Sequence, residues 1–281
     1  MPAAQRVIGG LAFAESPRWH DGELWLSDFY TRRVLRLDAQ GTLHIECEVP
    51  GQPSGLGWLP DGRLLVVSMS DRRLLRREPD GRLVEHADLS ALARFHCNDM
   101  VVGPNGDAYV GNFGYDLMAH APPAAAELVL VRPDGSARVV ADEMLFPNGS
   151  VMTPDGRTLI VAETAGKRLS AFDIAADGGL SRRRIWADLG ALRPDGICLD
   201  AEGAVWAATL RGNACVRVAE GGTLLDRVET RDPCITCMLG GADRRTLYIV
   251  TGHVQGEAEA LAQRSSALWQ VAVATPGAGW P

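Results

Sequence analysis

The chain has 281 residues, with 28 Lys plus Arg against 35 Asp plus Glu and a formal net charge of −7. That balance excludes the basic footprint of a nucleic-acid or anionic-membrane binder, and no apolar run reaches the roughly 18 residues of a membrane-spanning helix. Hydrophobic residues at 46% and charged residues at 22% are ordinary for a globular chain. The N-terminal residues lack the apolar stretch of a secretory signal, so a cytoplasmic location and reduced cysteines are expected.

One pattern recurs along the chain: a turn with an acidic or Asn residue, usually before Gly, and then a β-rich run. Asp21-Gly22 comes first, then Asp61-Gly62, Asn105-Gly106, Asp155-Gly156, Glu202-Gly203 and Asp243, at intervals between 40 and 50 residues. Asp-Gly and Asn-Gly between apolar runs signal hairpins, because these residues tolerate positive φ. Between these hairpins lie further strand pairs, turning at Gly41, Asp80-Gly81, Asp134-Gly135, Gly178-Gly179 and Gly221-Gly222. About four short strands per unit of roughly 45 residues is the signature of a propeller blade. The fold class expected is therefore all-β, a six-bladed β-propeller of four-stranded antiparallel sheets in a single domain spanning 1–281. The last unit lacks one strand, and residues 5–8 are placed to supply it and close the ring. Residues 119–126 and 256–264 are expected to form loops or a short helix over one face. The Arg run 182–184 is expected on a solvated face.

Aligning the units on their turns exposes one position, seven residues before the turn: Ser54, Asn98, Asn148, Asp195 and Thr236, with Glu15 in the shorter first unit. Each precedes the first strand of its blade, which lies nearest the propeller axis. These residues should ring one end of the central channel, where Glu, Asn, Asn and Asp form a hard, all-oxygen donor set suited to a divalent cation. The competing explanation is local: Asn148-Gly149 and Asp195-Gly196 could simply be turn formers.

Several segments carry a family resemblance: residues 13–19 (Phe-Ala-Glu-Ser-Pro-Arg-Trp), His96-Cys97-Asn98-Asp99, Phe146-Pro147-Asn148-Gly149 and Arg193-Pro194-Asp195-Gly196. In this order they resemble the signature segments of the gluconolactonase, regucalcin (senescence marker protein) and luciferin-regenerating-enzyme-like family. The resemblance implies a metal held by Glu15, Asn148 and Asp195, with Asn98 as a further ligand or a substrate contact, and lactone hydrolysis as the activity. Family members that act on sugar lactones tend to carry Arg where this chain has His96. Residues 96 and 98 share one side of an extended segment, and an imidazole grips sugar hydroxyls less well than a guanidinium. A less polar lactone is therefore expected.

Hairpin geometry returns each second strand to the same mouth. It puts Phe29, Tyr30, Met69, Phe113, Tyr115, Asp116, Thr164, Arg211, Asn213 and His253 on the rim; of these Tyr30, Phe113, Tyr115, Arg211 and His253 are the expected substrate contacts, joined by Asn98, as the resemblance implies, and His96. A small organic ligand suits this rim better than a phosphate. Asp195 is the expected catalytic base, accepting a proton from attacking water. The expected cofactor is one divalent cation, Ca²⁺ first, with Zn²⁺, Mn²⁺, Mg²⁺ or Fe²⁺ as alternatives. The expected partner is a small-molecule lactone or ester; no nucleic acid or membrane is expected. Hydrolysis of another ester or an organophosphate, or a non-catalytic metal- or ligand-binding propeller, stays open as an alternative. Cys234-x-x-Cys237 has no second pair for a zinc site.

Overall fold

The computed structural model describes residues 3–279. Six four-stranded antiparallel sheets form a six-bladed β-propeller. Five blades are consecutive meanders, spanning residues 14–48, 53–88, 97–144, 147–188 and 194–229. The sixth takes three strands from residues 234–272, and its outermost strand is Gln5–Leu11, paired antiparallel with Ser266–Ala272. The N-terminal strand thus closes the ring and covers an edge that would otherwise offer unpaired backbone groups.

The turns owe their residue types to backbone bonding. Side-chain oxygens of Asp61, Asn105, Asp155 and Asp243 each accept the backbone N–H two residues on, at 3.0–3.1 Å. In the first blade the hairpin is tighter: Asp21 and Gly22 both have positive φ, 50° and 83°. That is the two-residue hairpin geometry, and it explains the unit that is one residue shorter. In blade 5 the turn is organised by Asp200, which accepts from Glu202 and Ala204, and not by Glu202.

The inner strands Cys97–Val102, Pro147–Met152 and Pro194–Leu199 are buried along their whole length, whereas the outer strand Leu43–Glu48 alternates exposed and half-buried residues. Neighbouring blades cover an inner strand on both faces, but an outer strand keeps a wet side. Asn148-Gly149 and Asp195-Gly196 lie within these strands and not in turns. Their glycines answer a different need. A Cβ on Gly149 would stand 2.5 Å from the Ile197 amide nitrogen, and one on Gly196 2.0 Å from the Thr236 hydroxyl. Gly55 is similar, at 2.5 Å from the Met100 nitrogen. At these three positions the neighbouring blade leaves no room for a side chain.

Residues 119–125 form a loop with Ala126 already in a strand, and Glu257–Gln263 is a helix beside the channel mouth. The Arg run is only partly a solvated face. Arg183 reaches inward to the fully buried Glu163, Nη2 to Oε1 at 3.0 Å, joining Arg168, Ser170 and the Leu145 amide on that carboxylate. All six cysteines are free thiols, and Cys237 lies 3.8 Å from Cys198 of the neighbouring blade, sulfur to sulfur. Among the described residues no helix is long and apolar enough to cross a membrane.

The axial crowding is testable. Gly196→Ala should cost ~1–3 kcal/mol of overpacking, a Tm fall of about 2–10 °C for a chain of this size. Gly256→Ala, where nothing lies within 4 Å of the added Cβ, should leave Tm within about 1 °C. Equal shifts in the two variants would contradict the packing account.

Candidate functional site

A cavity of about 350 Å³ opens at one end of the channel, and Glu15, Asn98, Asn148 and Asp195 all line it. The backbone reason is shared. In every inner strand the pairing to its neighbour slips beside the ring residue: between Glu15 and Arg18, Cys97 and Met100, Pro147 and Ser150, and Pro194 and Ile197. Such a bulge re-aims a side chain away from the sheet plane. Ser16, directly after Glu15, has a φ of 49°. Ser54 and Thr236 occupy the remaining inner strands, where pairing slips likewise, but do not line the cavity.

Hydrogen bonds fix which atoms face inward. The Thr164 hydroxyl donates to the Pro194 carbonyl at 2.7 Å, so it can only accept from the Asn148 amide, 3.2 Å away. The Asn148 NH₂ must therefore face Thr164, which leaves Oδ1 buried without a partner. Asp195 Oδ1 is also buried and unpartnered. The Asn98 NH₂ faces the Pro147 carbonyl at 3.4 Å, which orients its Oδ1 the other way. Thr164 is thus a positioning residue for Asn148.

Both carboxylates are held well above the usual carboxylate range. Burial is the main cause at each. Repulsion from Asp195 and then Asp99 adds at Glu15, and repulsion from Asp99 adds at Asp195. Asp99 is itself paired, with Oδ1 accepting from Arg18 Nη2 at 2.6 Å, the Met100 amide at 2.9 Å and the Ser16 hydroxyl at 3.0 Å. Oxygen donors dominate, two of them carboxylates and two of them lacking partners. Such a cradle fits a hard divalent cation, which would relieve the repulsion and satisfy the stranded oxygens.

Above these oxygens the walls are apolar. Phe13, Phe29 and Tyr30 pack as one aromatic group, with Phe13 and Phe29 ring centroids 5.3 Å apart. Phe113, which packs against that group, stacks on Phe146 at 4.9 Å. His96 lines the same cavity, half-buried and stacked on Phe95 at 4.2 Å. Burial pushes its imidazole below the ordinary range, opposed by Asp116. The loops that carry these rings are tied by buried acids. Asp28 accepts the Ala12 and Phe13 amides, and Glu163 accepts the Leu145 amide beside Phe146.

Of the substrate contacts expected from sequence, Asn98, His96, Tyr30 and Phe113 line the cavity. Tyr115 stands behind, edge-on to Phe146 at 5.8 Å. Arg211 and His253 are exposed, and their neighbours Leu210 and Val254 line the cavity instead. Counting along a hairpin fixes the end of the barrel but not which of two adjacent loop residues turns inward. Phe13 and Phe146 were visible within the signature segments. Leu117, Met118 and Glu257 lie in loop and helix segments that carry no strand periodicity.

The fold and the site together define a six-bladed propeller with a buried oxygen ring beneath an apolar mouth, the layout of a small-molecule site. The profile of the SMP-30/gluconolactonase/LRE-like family matches residues 13–253, and the chain belongs to that family. It is 27% identical over 278 residues to a 6-deoxy-6-sulfogluconolactonase of Pseudomonas putida, covering 95% of this chain and 93% of that protein. It is 27% identical to a pentonolactonase of Haloferax volcanii, covering 99% and 96%. Among solved structures, a calcium-binding protein, regucalcin, of Agrobacterium tumefaciens superposes with a TM-score of 0.83 at 24% identity, covering 99% and 96%.

Removing Arg18 would strand Asp99. Arg18→Met should destabilise by ~3–5 kcal/mol, whereas Arg18→Met with Asp99→Asn should recover at least half of the loss in urea unfolding. A double variant no more stable than the single would show that the charge pair is not what matters.

Proposed function

We propose that this protein is a metal-dependent hydrolase that opens a small-molecule lactone. The observation that carries the reading is the pair of buried, unpartnered oxygens, Asn148 Oδ1 and Asp195 Oδ1, on the cavity that Glu15 and Asn98 also line. Two buried oxygens without partners that converge on one cavity are most simply satisfied by a ligand there. Lactonases among the relatives support the reaction class, and the calcium-binding regucalcin supports a cation.

Glu15, Asn148 and Asp195 would hold the cation, with Asn98 as a fourth oxygen or a substrate contact. Ca²⁺ is the first expectation for an oxygen-only donor set. When bound, the cation supplies Lewis-acid polarisation of the lactone carbonyl. Asp195 then serves as general base, taking a proton from the attacking water on a carboxylate oxygen. Water oxygen bonds to the carbonyl carbon, the ring C–O bond breaks, and the proton held by Asp195 passes to the departing ring oxygen. The product is the open hydroxy acid. Thr164 keeps the Asn148 amide turned so that its oxygen faces the cavity.

Chelation should abolish lactone opening, and adding back a divalent cation should restore it. Asp195→Asn should lower kcat by about 10²–10⁴-fold with an unchanged circular dichroism spectrum. Near-full activity in that variant would remove Asp195 from the chemistry. Calorimetric titration should show that Glu15→Gln weakens cation binding and that Thr164→Val weakens it by about 10–100-fold. Thr164→Ser, which keeps the hydroxyl, should bind like the wild type.

A further inference from the structure

We infer, resting on the lactone-hydrolase reading, that the substrate carries an apolar aryl or alkyl substituent and is not a polyhydroxylated sugar lactone. The four proposed cradle residues, Glu15, Asn98, Asn148 and Asp195, come from the inner strands at the channel end of the cavity. Around the rest, Phe13, Phe29, Tyr30 and Met69 form one buried apolar cluster, and Phe113 and Leu210 pack against it. The stacked Phe113–Phe146 pair, ring centroids 4.9 Å apart, continues this apolar lining. An aromatic lining of this kind favours a flat or apolar group against it.

Tyr30, Gln52 and Glu257, polar side chains on these walls, each have at least one partner within the chain. The Tyr30 hydroxyl donates to the Gln255 carbonyl at 2.9 Å. Gln52 Nε2 donates to Glu257 Oε2 at 3.5 Å, and Glu257 Oε1 pairs with Arg32 at 3.0 Å. Among the described residues, the His96 imidazole is the one polar wall group that makes no hydrogen bond. A sugar lactone would bring several hydroxyls out of water, and this wall could pair with few of them. An alkyl or aryl substituent would bury its surface against the rings at no such cost. At about 350 Å³ the cavity is near the small end of ligand sites, enough for a lactone ring with a short substituent.

The test is kcat/KM over a δ-lactone series with the metal-loaded enzyme: δ-valerolactone, δ-decalactone, 3,4-dihydrocoumarin and glucono-δ-lactone, each corrected for spontaneous opening. Decalactone and dihydrocoumarin should exceed valerolactone by at least about 10-fold, within what apolar pockets achieve, and the sugar lactone should fall below it. A sugar lactone turned over best, or no gain from the substituent, overturns the inference while the hydrolase reading stands. No opening of any lactone overturns both. Phe113→Ser and Phe146→Ser should erode the decalactone-to-valerolactone ratio by about 10-fold or more through KM. Phe146→Leu, a milder change for the fold, should keep the alkyl preference and lose part of the aryl one. An unchanged ratio in the folded serine variants contradicts the proposal.

Discussion

Everything at this site depends on crowding at the propeller axis. Six inner strands converge until there is no room for a Cβ at Gly55, Gly149 or Gly196. Each inner strand also slips by a bulge where its ring residue sits. The bulge turns Glu15, Asn98, Asn148 and Asp195 out of their sheets and into one water-poor cavity. Burial then dominates the electrostatics, because it outweighs what Arg18 and the Ser16 amide offer Glu15, and it leaves Asn148 Oδ1 and Asp195 Oδ1 without partners.

The same constraint separates the two halves of the cavity. Its floor is built by inner strands, whose register the closed ring fixes. Its walls are built by residues leading into the inner strands, such as Phe13, His96 and Phe146, and by residues after the second strands, such as Tyr30 and Phe113, held by buried acids such as Asp28 and Glu163. The floor can therefore be shared across a family while the walls vary, and the walls of this chain are aromatic. The floor determines which reaction is possible, and the walls determine which molecule reaches it.

The repeat of Asp-Gly and Asn-Gly turns made the architecture legible, because each turn records its own backbone geometry locally. The N-terminal strand was legible as well, since a ring with one strand missing must borrow it from the other end. Asn98, Asn148 and Asp195 could be picked out by their equal distance from those turns, and Glu15 by a distance one residue shorter. The meaning of Gly149 and Gly196 was harder to see: Asn-Gly and Asp-Gly suggest a turn locally, and only the neighbouring blade makes glycine necessary. Leu210 and Val254 were invisible for a related reason. They differ from Arg211 and His253 by one position in irregular segments, where no periodicity marks the inward side. Thr164 joins the site through a hydroxyl whose single proton is committed elsewhere, which no spacing in the sequence records.

The central claim is that the floor is a cation cradle, and it can be tested without turnover. Crystals grown or soaked with Mn²⁺ would give an anomalous difference map that locates the ion directly. The account predicts one strong peak per chain, at about 2.0–2.5 Å from Glu15, Asn148 Oδ1 and Asp195, distances ordinary for oxygen ligands on hard cations. A map with no peak there, or with its peak on other residues, would contradict it.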